Sequence, residues 1–167
     1  GDDIYVSHGT ATGLGDARLA LHLLQAQRGK AANMPALHAL PPPARASLLH
    51  TVRPRLEQPT PRLALGLALR GLASSCLDLS DGLAGDMRHV LAASQVGATL
   101  WASHANGSGL LAATSAALRT LGEPTALAYA LAGGDDYELL LTAAPQHRHA
   151  LAQTAAQCQL QLTRIGH

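Results

Sequence analysis

The sequence predicts an α+β domain in which helices cover a mixed β-sheet, and three observations carry that prediction. Strand-like and helix-like segments alternate along the chain. In places two helical patterns follow one another with no strand between them, which argues against a purely parallel, doubly wound sheet. The 167 residues are 47% apolar and only 14% charged, enough for one folded domain with its own core.

Taken in order, Ile4 to Ser7 reads as a short strand. A Gly-rich turn from His8 to Asp16 leads into a helix from about Asp16 to Gln27, with Leu19, Leu23 and Leu24 as its apolar stripe and Gly29 as its stop. The stretch from Asn33 to Arg45, with Pro41 to Pro43, reads as an irregular connection, followed by a weak helix near Ala44 to Thr51. Prolines make Val52 to Arg62 extended. Thr60 then reads as an N-cap and Pro61 as the first residue of a helix to about Leu72.

Ser74 to Leu79 is the next strand, and the helix after it starts near Asp81. Gly97 to Ala102 reads as a strand, Gly109 to Leu121 as a helix, and Pro124 to Ala132 as a second helix after Gly122. Tyr137 to Ala144 has few polar interruptions, which marks it as a central strand. Pro145 opens a last helix to about Gln157, and Leu160 to Gly166 is a final strand.

Composition excludes several classes of function. A net charge of +1 supplies no field for nucleic acid or membranes. Only Tyr5, Trp101, Tyr129 and Tyr137 are aromatic, too few and too scattered for base stacking. No apolar run approaches the roughly 18 residues of a membrane span. Cys76 and Cys158 lack a CxxC pattern and are expected as reduced, buried thiols of a cytoplasmic protein. The nine histidines fall in no ligand pattern, and His147 to His149 reads as an exposed helix start. The chain opens without Met on a turn into a strand, so a missing N-terminal part is expected.

Six of the eleven acids lie in two short stretches: Asp78, Asp81 and Asp86 in one, Asp135, Asp136 and Glu138 in the other. Asp78, Ser80 and Asp81 sit where a strand gives way to a helix. Capping explains Ser80 or Asp81, but it leaves Asp78, inside an apolar strand, unexplained. Two carboxylates about 6 Å apart repel by roughly 3 kcal/mol at an effective dielectric near 20, and a cation offsets that. Capping and magnesium binding are both open at this point, the second because magnesium takes a few carboxylates and completes its shell with water and phosphates. Ser80 and free helix N–H groups would face such a phosphate. Asp86 reads as a solvated acid on the helix face. In the second stretch, Gly133 and Gly134 end a helix. Strand alternation then puts Asp136 and Glu138 on one side and Asp135 on the other. The turn from His8 to Asp16 matches neither a P-loop nor the dinucleotide fingerprint and reads as a plain turn into a helix.

Leu77 to Leu83, "LDLSDGL", followed by Leu131 to Thr142, "LAGGDDYELLLT", resembles the thiamine-monophosphate kinase family. The first 21 residues and Arg53 to Ala73 resemble it too, in the family's order. That family shares a superfamily with aminoimidazole ribonucleotide synthetase and selenophosphate synthetase. The resemblance implies that residues 1–167 are a single C-terminal domain with the PurM-like fold, a three-layer α/β/α sandwich of partial ferredoxin-like topology. The N-terminal domain, with its Gly-Asp-Asp metal motif and dimer interface, is then absent. It implies ATP- and magnesium-dependent phosphorylation of thiamine monophosphate to thiamine diphosphate by the full-length homodimer, and an inactive isolated domain. By motif, Asp78 and Asp81 would ligate magnesium, Ser80 would contact ATP, and Asp135 would contact thiamine monophosphate. His8 stands where Ser or Thr is expected. Another ATP-dependent synthetase of the superfamily and a non-catalytic binding module are the competing readings.

Overall fold

A computed structural model of the chain describes residues 1–30 and 35–167. The start of the Pro-rich connection, Asn33 and Met34, lies outside the described residues. Among the described residues the sheet has four strands, β1 (Asp3–His8), β2 (Ser75–Asp78), β3 (Leu139–Ala143) and β4 (Gln161–Gly166), in the order β2-β3-β1-β4. Every pairing is antiparallel, so the expected mixed sheet is corrected. The reason lies in the connections, each of which brings the chain back to the sheet in the opposite direction to the neighbour it joins. The strand around Leu140 is central, as its apolar run predicts: Leu140 pairs with Val6 on one side and Leu77 on the other.

Alternation along β1 and β3 sorts the core into two faces. Ile4, Val6, Leu140 and Ile165 pack with Leu79, Leu83 and Ala130. Tyr5, Leu141 and Ala143 pack on the other face with Leu65, Leu69 and Leu151. These leucines come from α5 (Leu83–Ser94), α4 (Leu63–Ala68), α8 (Arg148–Gln157) and their flanks, and Ala130 from α7 (Glu123–Ala132). A third cluster forms away from the sheet, where Leu19 and Leu23 of α1 (Asp16–Gln27) meet Leu49 and Val52 of α3 (Pro42–Glu57) and Tyr129 of α7. A fully buried Leu such as Leu19 contributes about 1.5–3 kcal/mol.

Several local expectations give way to packing. The weak helix at Ala44 to Thr51 is a full helix from Pro42 to Glu57 and runs through Pro54, where an extended chain is expected. An internal proline costs a helix about 3 kcal/mol. Here the next residue, Arg55, is buried and ion-paired, and Leu49 and Val52 are buried, so tertiary contacts hold the helix across the proline. Thr60 is not an N-cap: α4 begins at Leu63, its N-cap is Arg62, and no side chain caps it. The Gly97 to Ala102 stretch forms one isolated bridge, Leu100 to Gly166, beside β4 rather than a strand of the sheet. The expected helix from Gly109 is split into a 3-10 turn, Leu110–Ala113, and one α-turn, α6 (Ala116–Arg119), because Ser115 takes an extended backbone and caps α6 through Leu118 N–H. Cys158 is partly buried and Cys76 exposed, and both are free thiols; Cys76 is on the edge strand β2 instead of in the core. Among the described residues no helix is long and apolar enough to cross a membrane.

Candidate functional site

The site forms because the two acidic stretches are zipped together by main chain. Beyond the last pair of β2 and β3, Leu79 N–H donates to Glu138 C=O (2.8 Å), Tyr137 N–H to Leu79 C=O (2.8 Å) and Asp135 N–H to Ser80 C=O (2.9 Å). The approach requires glycine. A Cβ on Gly134 would lie 2.6 Å from Ser80 O, and one on Gly82, which has φ 99°, 2.9 Å from Gly133 O. The turn before α5 and the turn after α7 therefore meet back to back.

On the first turn, Asp78 and Asp81 are exposed and Ser80 is partly buried. Among the described residues neither carboxylate has an ion-pair partner. Asp86 corrects the expectation of a solvated acid. It is buried, and its Oδ2 accepts the N–H groups of Ser80 (2.9 Å) and Asp81 (3.1 Å). Asp86 thus fixes the turn that presents Asp78, Ser80 and Asp81.

On the second turn the alternation holds: Asp135 and Tyr137 face outward, while Asp136 and Glu138 are buried. Asp135 (φ 65°) and Tyr137 (φ 49°) both occupy the left-handed region, which costs a non-glycine residue roughly 1–2 kcal/mol. The buried pair supplies the restraint. Glu138 accepts from Ser7 Oγ (2.6 Å), Arg55 Nη2 (3.0 Å), and both Nε (2.9 Å) and Nη2 (2.6 Å) of Arg62. Arg55 Nη2 also donates to the Asp136 carbonyl (2.6 Å), while Arg55 Nε has no partner among the described residues.

Asp136 Oδ2 accepts from Gly15 N–H (2.8 Å), just ahead of α1, and its Oδ1 has no partner among the described residues. Burial pushes this carboxyl up to about 7, against the pull of the Gly15 N–H and Arg55. Charge balance agrees: with Asp136 protonated, the buried acids Asp16 and Glu138 match Arg55 and Arg62. Asp16 is held by Ser115 Oγ (2.5 Å) and Gly13 N–H (2.9 Å), with its own pKa raised by burial. The turn from His8 to Asp16 is therefore a structural element packed behind the site. His8 itself ends β1, buried, with Nε2 2.8 Å from Thr163 Oγ1.

The structure thus brings Asp78, Ser80, Asp81 and Asp135 to one junction. It separates them from Asp86, Asp136 and Glu138, which build the frame. Sequence reading missed Arg55, Arg62 and Ser7. The visible signal was two arginines flanking a Pro-rich stretch in a chain poor in charge, but their common partner is remote in sequence.

Fold and site define an α+β domain with an open antiparallel sheet and an acidic strand–helix junction. No family model matches the chain. The thiamine-monophosphate kinase of Salmonella typhimurium is 38% identical over 117 residues, 70% of this chain and 34% of that protein. The Escherichia coli K12 protein of the same name is 39% identical over 109 residues, 65% of this chain and 32% of its own length. The crystal structure of thiamine-monophosphate kinase from Stenotrophomonas maltophilia superposes with a TM-score of 0.75 at 41% identity, covering 99% of this chain and 46% of that one. AaThiL complexed with AMPPCP and TMP superposes with a TM-score of 0.68 at 26% identity, over 99% of this chain and 44% of its own. The chain is a relative of the thiamine-monophosphate kinases, and it spans about a third of the length of the curated relatives it matches.

Proposed function

We propose that residues 1–167 act as the C-terminal domain of a kinase that transfers phosphate from ATP to thiamine monophosphate, giving thiamine diphosphate. The observation that carries this reading is the junction itself: main-chain hydrogen bonds and the Gly82 and Gly134 contacts hold Ser80, Asp81 and Asp135 against one another. The relative AaThiL is complexed with AMPPCP and TMP, an ATP analogue and thiamine monophosphate, which fits the same reading.

The acceptor is a phosphate monoester whose second pKa lies near 6, so it is mostly dianionic at pH 7. No strong base is needed to activate it. The difficulty is bringing two polyanions into line, so catalysis rests on positioning and charge neutralisation. In this reading Ser80 contacts ATP and Asp135 orients thiamine monophosphate. Asp78 and Asp81 hold magnesium, which when bound neutralises phosphate charge. The fit is that of hard carboxylate oxygens, exposed and, among the described residues, without a cationic side chain as partner. Among the described residues no group of three or more His, Cys, Asp or Glu is arranged to hold a metal. The magnesium would then depend on phosphate, water or a second domain for its remaining ligands.

In the same reading, the two apolar faces of the sheet, each covered by helices, are the layers of an α/β/α sandwich with partial ferredoxin-like topology. The full-length protein is a cytoplasmic homodimer, and its N-terminal domain supplies the rest of the ion site. The test is Asp81→Asn in the full-length enzyme. We expect turnover to fall on the order of a hundredfold, with thermal stability unchanged because Asp81 is exposed. Near-normal turnover at saturating magnesium would sink the assignment.

A further inference from the structure

Tyr137 is the one aromatic among the exposed large apolar side chains of the described residues, with 38% of its surface accessible. Its backbone is held at φ 49°, a conformation a bulky residue rarely adopts. Among the described residues its side chain makes no hydrogen bond, ion pair or ring contact. A ring kept for packing would be buried, and a residue kept for solubility would be polar. Strain of this kind persists only where the surroundings impose it, and it collects where ligands bind.

The surroundings here do impose it. Tyr137 N–H is tied to the Leu79 carbonyl (2.8 Å), and its two neighbours are buried anchors: Asp136 against Gly15, and Glu138 against Arg55 and Arg62. With both anchors facing inward, Asp135 and Tyr137 face outward together, next to Ser80. A carboxylate and an aromatic ring, both exposed and two residues apart on the outward side of the chain, suit one chemical class of ligand, a flat cation. The carboxylate supplies negative charge, and the ring face supplies the negative lobe of its quadrupole.

We propose that Tyr137 is a substrate-binding residue whose ring stacks on the cationic thiazolium heterocycle of thiamine monophosphate, with Asp135 alongside. The proposal rests on the reading of the function above and adds a specificity contact to it. ATP has no cationic heterocycle at neutral pH, so the contact discriminates between the two substrates.

The experiment compares Tyr137→Phe and Tyr137→Leu in the full-length enzyme, measuring kcat and KM for each substrate. The Leu variant removes the ring and is expected to raise KM for thiamine monophosphate by roughly tenfold, within the range of a partly desolvated cation–π contact. Its KM for ATP should be unchanged. The Phe variant keeps the ring and is expected to stay within about twofold of wild type. The proposal is overturned if the Leu variant matches wild type, if Phe is as impaired as Leu, or if KM for ATP rises in parallel. A wild-type enzyme that does not phosphorylate thiamine monophosphate overturns the reading of function beneath it, a result distinct from an active enzyme indifferent to Tyr137.

Discussion

Replacing Asp136 by Asn should make the protein more stable at alkaline pH, although the substitution removes a buried charged group at a junction full of hydrogen bonds. In the folded chain burial raises the Asp136 carboxyl from 3.8 to about 7. Between these values the folded state holds a proton that the unfolded state has lost. Stability therefore falls as pH rises from about 4 to about 7 and levels off above that. At 1.36 kcal/mol per pH unit, the ionised group destabilises the fold by about 4 kcal/mol at pH 8. Asn cannot ionise, and its side-chain oxygen can still accept from Gly15 N–H as Oδ2 does at 2.8 Å. Its amide nitrogen replaces Oδ1, which has no hydrogen-bond partner among the described residues. Urea unfolding of both proteins at intervals from pH 4.5 to pH 8, followed by circular dichroism, should give curves that nearly meet at the acid end and separate progressively towards neutrality. Asp16, whose pKa is also raised, slopes the same way, and because its charge also raises the Asp136 carboxyl the difference between the two proteins reports the pair. Parallel profiles, or an Asn variant less stable than wild type at pH 8, would show that the fold does not raise the Asp136 carboxyl and that the charge balance assigned to the buried network is wrong.

Two further outcomes follow from the frame behind the site. Glu138→Gln keeps the side chain's shape but leaves Arg55 and Arg62 buried without a counter-charge, so the urea midpoint should fall by the equivalent of about 3–5 kcal/mol; a loss under about 1 kcal/mol would mean that water solvates the arginines. Gly134→Ala would place a methyl group 2.6 Å from the Ser80 carbonyl oxygen and should cost roughly 1–3 kcal/mol, whereas Gly97→Ala, with open space around it, should be neutral. Equal unfolding temperatures for the two glycine variants would refute the close approach of the turns.

Read alone, the sequence determined the identity and order of the main elements, because the signals for them are local. The apolar run Leu139–Leu141 is a central strand, and the stripe of Leu19 and Leu23 lies on a helix with the expected bounds. It also determined which acids are paired with which side of the chain after Gly134, since alternation is a property of the extended backbone. Tertiary structure decided the rest. Whether Pro54 ends a helix depends on Arg55 reaching Glu138, 83 residues away. Whether Asp86 is solvated depends on how the chain folds back over the turn that it caps. The sheet's antiparallel order, the contact between Gly134 and Ser80, and the split between exposed Asp78, Asp81 and Asp135 and buried Asp136 and Glu138 all arise from pairings remote in sequence. No local propensity records them, because a buried charge is tolerated only where a partner from another element meets it.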